Sequence, residues 1–352
     1  MPRRNMPEDW VSPVPAWSAD LGDSSAIAIA YYGVQHHTGD TRDSEAAFAL
    51  LRHGPDAPEH IERGRFNDLA GFLNEVFVCY WRVPDTCARF SEQSTFARWL
   101  ADDARLSGDV GVWIEAFRIP MTRFETLFST QCSAGAARLT NDPMTGPIAE
   151  HGYWGGMRDR IPTSETDELS SPLDGAPSIA DKAETRHRRI VLAAPENLCL
   201  IRSAQDWSAC RGDERDSYLR DVHPMLKKGM TFLMENPAET GCLTCRFIEQ
   251  LTHDGDADDK TCGMAYFVDI SRLEAWSKSH PTHLAIFGSF MSLAQRLGGT
   301  ITLRLWHEVA VLQADWTRLE YINCHRRTGL LPFLAANRRS GYAHDVERSR
   351  DF

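Results

Sequence analysis

No apolar run in this sequence approaches the roughly 18 to 20 residues that a membrane helix needs. The longest, residues 24–32 and 284–293, are short and interrupted. The start, Met-Pro-Arg-Arg-Asn, leads into acidic, proline-rich sequence and not into the apolar core of a signal peptide, so a cytoplasmic protein with no membrane partner is expected. Positive charge is scarce as well. With 49 acidic against 38 basic residues and a net charge of -11, the chain lacks the concentrated positive field of a nucleic-acid binder, and only 186–189 and Arg338-Arg339 are locally basic. Also missing are G-x-x-x-x-G-K-S/T, G-x-G-x-x-G after a strand, G-x-S-x-G and H-E-x-x-H, which removes weight from nucleotide hydrolysis and common hydrolase chemistry.

The 352 residues are 42% hydrophobic and 25% charged, enough to bury a substantial core without metals or crosslinks, so any cofactor would serve chemistry. The nine cysteines are odd in number and scattered, the pattern of reduced thiols in a large chain. Cys242-x-x-Cys245 with His253 and Cys262 could supply four zinc ligands. The pair, however, falls in an expected strand beside Phe247 and Ile248, and no second C-x-x-C follows. Arg246 after Cys245 removes covalent c-type haem attachment. The run Asp254-Gly-Asp-Ala-Asp-Asp259 starts like a calcium loop but has Asp259 at position six and Ala265 at position twelve, so a solvated acidic turn is expected.

The order of patterns is α+β. Residues 1–24 read as an extended arm carrying Trp10 and Trp17, 25–160 as a first α+β half, 161–187 as a polar connection, 188–328 as a second half and 329–352 as a tail. The first half carries strand patterns at 26–32, 75–81, 110–117 and 124–129 with helices at 44–52 and 85–90. The second carries strands at 190–192, 198–203, 242–251, 264–270, 301–312 and 319–324, with helices at 217–234 and from 271. A strand followed by two helices occurs twice, at 76–100 and 266–287, with Phe90 and Trp276 in similar places, which suggests duplicated units. Ser271 with Glu274 reads as a capping box at a helix start.

Histidines carry the chemical signal. In Ile301-Thr-Leu-Arg-Leu-Trp-His-Glu-Val-Ala-Val311, the two-residue period puts His307 on the apolar face with Leu305 and Val309, and sends Arg304 and Glu308 toward solvent or a helix end. In Ser279-His-Pro-Thr-His-Leu284, Pro281 suits the first helical position and leaves His280 at the cap. The helix then aligns His283, Phe287, Phe290, Met291, Ala294 and Leu297 on one stripe, so His283 is expected to face inward. Two imidazoles aimed at one apolar interior serve as ligand and acid/base, or as core histidines satisfied by hydrogen bonds; pattern alone leaves both open.

His280-Pro-Thr-His283-Leu-Ala-Ile-Phe, Leu305-Trp-His307-Glu-Val, Ile201-Arg-Ser203-Ala-Gln-Asp-Trp, Glu150-His-Gly-Tyr-Trp-Gly-Gly-Met-Arg-Asp-Arg160 and Glu320-Tyr-Ile-Asn-Cys-His-Arg-Arg-Thr-Gly together resemble the haem-dependent aldoxime dehydratases, the phenylacetaldoxime type included, over about residues 25–330. The resemblance implies a lyase that turns R-CH=N-OH into a nitrile and water, with the oxime nitrogen on ferrous iron. It implies two ferredoxin-like halves forming a β-barrel-like core with flanking helices, of the dimeric α+β barrel type, and a homodimer. It further implies His283 as proximal ligand of a non-covalent haem b, and His307, Ser203 and Arg160 as the distal histidine, serine and arginine. Glu125, in Phe124-Glu-Thr-Leu127, matches a family position whose role the resemblance leaves open. A flavin or external reductant would keep the iron ferrous. A peroxidase or chlorite-dismutase relative would use the same proximal histidine without needing Ser203, and a haem carrier or sensor would tolerate loss of His307.

Overall fold

The computed structural model describes residues 5–39, 41–141, 144–177 and 184–336. The outer part of the expected tail, with Arg338-Arg339, the first four residues of the arm and part of the connection lie outside them. The strands are β1 (Ala26–His36), β2 (His60–Asn67), β3 (Leu73–Trp81), β4 (Val110–Pro120), β5 (Phe124–Phe128), β6 (Arg189–Leu192), β7 (Leu198–Asp206), β8 (Cys242–Leu251), β9 (Ala257–Phe267), β10 (Arg304–Leu312) and β11 (Thr317–Ile322).

All eleven join one curled sheet in the order β5-β10-β7-β9-β8-β2-β3-β1-β4-β11-β6, and the register is antiparallel at each pairing. Counted from the first strand of each run, β10-β7-β9-β8 and β4-β1-β3-β2 have the same order, and they meet edge to edge where Gly64 pairs with Gln250. In both runs a helical segment follows the first strand and two helices follow the third: Pro84–Gln93 and Thr95–Ala101 after β3, Ile270–Ser279 and Pro281–Arg296 after β9. The expected twofold occurrence of strand, helix, helix is present.

Both faces of the sheet are covered, so its strands read as near-continuous apolar runs. Along β1, Ile27, Ile29 and Tyr31 enter the concave interior with Val78, Trp113, Leu200 and Tyr266 from both runs. Ala28, Ala30 and Tyr32 turn outward against Phe48, Phe90 and Phe96 of the first run's helices. Gly33 is required where it stands, because a Cβ there would come within 1.9 Å of the Trp113 ring. In the second run Cys199, Cys245, Ala265 and Val309 meet Leu226, Met230, Trp276 and Ile286 of the helices. Among the described residues no helix is long and apolar enough to cross a membrane.

Several expectations need correction. β2 was not expected, because His-Ile-Glu-Arg-Gly-Arg-Phe-Asn is too charged for a strand pattern. Its charges find partners on other strands, Arg63 on Glu75 of β3 at 2.8 Å and Glu62 on Arg202 of β7. β9 starts at Ala257, not 264, so Asp258 and Asp259 belong to the strand, where Lys260 and Arg215 pair with them at 2.6 and 2.7 Å. β10 starts at Arg304, not 301. The helical run through Ser217 begins at Gly212. Ser271 and Glu274 are not a capping box. Asp269 caps the helix by accepting from the Arg272 amide at 3.0 Å, while Ser271 and Glu274 both accept from Arg158 at 3.0 and 2.8 Å. Glu308 does not face solvent: it is 4% exposed in the interior, accepting from the Tyr80 hydroxyl at 2.5 Å and lying 3.9 Å from Arg202. The curled sheet encloses one face of β10, the helices cover the other, and the interior provides partners for the charge.

Candidate active site

β5, β10 and β7 are neighbours at one end of the sheet, and their outward face gathers the distal candidates. Ladder register sets His307 opposite Ser203 on one side and opposite Leu127 on the other. Strand parity therefore sends Ser203, His307 and Glu125, two residues from Leu127, to the same side. Arg160 enters from the loop 149–160, where the one-turn helix Gly156–Asp159 precedes it.

These side chains touch. Arg160 Nε donates to Glu125 Oε2 at 2.7 Å, Nη1 donates to the Glu150 carbonyl at 2.5 Å, and Nη2 stands 3.2 Å from His307 Nε2. Glu125 Oε1 is 3.0 Å from the same His307 nitrogen, a charge contact that lacks hydrogen-bond alignment. One imidazole nitrogen thus meets a donor and an anion together, and which it serves depends on its proton. The Glu125 side chain is 1% exposed. Burial would raise its carboxyl, but Arg160 and His307 outweigh burial and bring it down to about 2, so it is an anion in the fold.

His283 stands apart from this cluster, on the helix Pro281–Arg296, and the preceding motif is fully used. His280 is the cap, its Nδ1 accepting from the Thr282 amide at 3.3 Å, and Pro281 takes the first turn. Thr282 Oγ1 accepts from Trp276 Nε1 at 3.1 Å, and the Trp276 ring meets the His283 ring edge-on at 4.7 Å. The Trp154 ring also lies edge-on to it, at 6.3 Å. The loop that carries Arg160 to His307 therefore also carries Trp154 to His283. Neither tryptophan was singled out by sequence reasoning for this contact; Trp276 stood out only as an aromatic in the duplicated pattern.

The expected inward stripe divides in the structure. Ile286, Phe290 and Leu293 pack on the body, whereas Phe287 and Met291, one and two turns beyond His283, are 49% and 47% exposed, with Leu284 at 42%. His283 Nδ1 is buried without a well-aligned hydrogen bond, and burial lowers the ring's pKa, opposed in part by the Ser277 backbone. A neutral imidazole at the head of an uncovered apolar face is what a flat, largely apolar macrocycle with an iron centre requires. The residues fit a haem. Cys242 and Cys245 are buried thiols in β8, with Cys245 Sγ 3.5 Å from Met230 Sδ, and the described residues hold no cluster of three or more His, Cys, Asp or Glu side chains that could bind a metal ion.

A family model for haem-containing dehydratases matches residues 30–330. The chain belongs to the haem-containing dehydratase family. It is 35% identical over 339 residues to the phenylacetaldoxime dehydratase of Bacillus sp. (strain OxB-1), covering 94% of each chain. It is 35% identical over 342 residues to the aliphatic aldoxime dehydratase of Rhodococcus erythropolis, covering 93% of each. A crystal structure of an aldoxime dehydratase in complex with butyraldoxime superimposes with a TM-score of 0.86 at 34% identity, over 95% of this chain and 93% of the other. A second aldoxime dehydratase crystal structure gives 0.84 at 33% identity, over 95% of each chain. Membership in the haem-containing dehydratases and the apolar face at His283 point to the same cofactor.

Proposed function

We propose that this chain dehydrates aldoximes to nitriles and water, with His283 as haem ligand and His307 as acid/base. The observation that carries the site assignment is the contact of His307, Arg160 and Glu125 on the face that also bears Ser203. Dehydration needs a proton delivered to the oxime oxygen, since hydroxide leaves poorly, and a proton removed from the oxime carbon. One imidazole performs both in turn. The Arg160 guanidinium and the Ser203 hydroxyl donate hydrogen bonds to the oxime oxygen and aim it at His307 Nε2. Glu125, held anionic, balances Arg160 and stabilises the ring when it carries the extra proton. Leu127, Ile201 and Val309 supply apolar surface that excludes water. Bound at His283, a haem supplies the iron chemistry on which N–O cleavage draws.

This reading takes the cofactor as non-covalent haem b in its ferrous state, kept reduced by a flavin or an external reductant. It takes the two runs of equal strand order as ferredoxin-like halves within 25–160 and 188–328, joined by 161–187, with an arm at 1–24 and a tail from 329. It includes a cytoplasmic homodimer, which sedimentation velocity checks as a species of twice the chain mass.

The test is anaerobic assay of dithionite-reduced, haem-loaded protein with phenylacetaldoxime and butyraldoxime, following nitrile by chromatography and haem by its Soret band. Nitrile formed only in the reduced state is expected. Haem bound with no nitrile from either oxime overturns the reading in favour of a peroxidase-like or carrier role.

A further inference from the structure

We infer that the N-terminal arm is a strap that positions Arg160, and that Asp159, gripped by Asn5 and Tyr153, is the positioning residue through which the strap acts. The inference rests on the proposed role of Arg160 at the oxime oxygen.

The guanidinium is well bonded, yet the backbone that delivers it has little regular structure of its own. Among the described residues between β5 and β6, only short helical turns interrupt the chain. Arg158 fastens one side of the turn to the helix Ile270–Ser279, donating from Nε and Nη2 to Glu274 at 3.0 and 2.8 Å. On the opposite side the arm holds it. Asn5 Nδ2 donates to Asp159 Oδ1 at 2.7 Å, and the Asn5 amide approaches Oδ2 at 3.3 Å. The Tyr153 hydroxyl donates to the same Oδ2 at 2.8 Å. Trp10 Nε1 donates to the His151 carbonyl at 3.0 Å, its ring lies edge-on to Tyr153 at 5.4 Å, and Ser12 Oγ donates to the Ala149 carbonyl at 3.2 Å. Gly155, at φ +96, leaves the space that Asn5 fills, since a Cβ there would come within 2.6 Å of it.

The same segment then holds the other partner of the ion pair. Trp17 and Phe128 exchange backbone hydrogen bonds at 3.0 and 2.8 Å, and the Ala19 amide donates to Thr126 Oγ1 at 2.9 Å, next to Glu125. β5 is the end strand of the sheet, paired only with β10, so these bonds occupy its free edge. One arm therefore spans both the loop bearing Arg160 and the strand bearing Glu125. Arg160 and Glu125 meet at 2.7 Å because both supports are tied to one piece of chain. Misplacing a hydrogen-bond donor by about 1 Å costs up to about a hundredfold in rate.

The experiment uses the full-length, haem-loaded protein with Asp159→Ala, Tyr153→Phe and Asn5→Ala, each alone and combined with Arg160→Ala. Asp159→Ala is expected to lower kcat about tenfold with KM within about twofold, and the milder Asn5→Ala and Tyr153→Phe about threefold. In the Arg160→Ala background the same changes should alter kcat by less than about twofold, because a residue acting through Arg160 has nothing left to position. In haem-free protein, Asp159→Ala should raise amide exchange across 149–160. If Arg160→Ala lowers turnover but Asp159→Ala does not, or if the two losses simply add, or if exchange is unchanged, the strap inference fails while the reading of the site survives. If Arg160→Ala itself leaves turnover intact, the reading of the site fails and the inference falls with it.

Discussion

Replacing Glu125 by Gln removes the one negative charge between Arg160 and His307 while keeping the side chain's size. The carboxyl has almost no solvent contact, so screening by water is slight. A carboxyl at about 2 where 4.5 is its ordinary value favours the ionised form by roughly 3 kcal/mol, and removing one partner of a buried ion pair costs about 3–5 kcal/mol in general. Because the amide oxygen still accepts from Arg160, a loss of about 2–4 kcal/mol is expected at pH 7. The folded pKa lies below the unfolded one. The contribution is therefore complete above about pH 4.5 and fades as pH falls toward about 2. Urea unfolding of the haem-free wild type and Glu125→Gln, compared from pH 7 down to pH 3, reads it directly. The gap should stay flat to about pH 5 and shrink to roughly half near pH 3. A gap under about 0.5 kcal/mol at pH 7, or one that does not narrow in acid, would refute the argument that Glu125 is held as a buried anion.

His307→Ala should keep its Soret band and lose at least about a hundredfold in nitrile formation, whereas His283→Ala should lose the Soret band with unchanged far-ultraviolet circular dichroism. Gly33→Ala drives a Cβ into the Trp113 ring and should destabilise the haem-free protein by about 3 kcal/mol or more in urea, an effect absent at the open Gly288 beyond a helix-propensity change. Eight of the nine cysteines are buried, with Cys87 and Cys245 pushed up to about 12 by burial, so a thiol reagent at pH 8 should modify only Cys132 quickly in the native protein and all nine after denaturation. Fast reaction of more than two thiols in the native state would contradict the described packing.

Local pattern reached the two histidines for different reasons. His307 lies in a strand whose neighbours alternate in size and polarity, and parity is a property of the backbone, so its side of the sheet was legible from five or six residues. His280 and Pro281 announced a helix start because capping is local chemistry, and the structure has the cap there. The Ser271 and Glu274 signal misled for the converse reason: both groups had the right spacing, but Arg158, more than a hundred residues away, took them. β2 stayed invisible because its charges are satisfied by Glu75, Arg202 and Glu249, on three other strands.

Legible in the amino-acid order alone were the α+β class, the duplicated run of strand and helices, the absence of common nucleotide and hydrolase signatures, and the motifs that place this chain among haem-containing dehydratases. Those properties live in spacing and residue type. Folding in three dimensions set Glu125 and Arg160 beside His307, Trp154 and Trp276 against His283, and Glu308 and Arg202 in the interior. It also decided which half of the helix Pro281–Arg296 stays uncovered. The reason is the same in each case: a periodic pattern defines the directions in which side chains leave their own element, while the groups waiting there come from remote parts of the chain, brought together by a curled sheet whose register no local pattern contains.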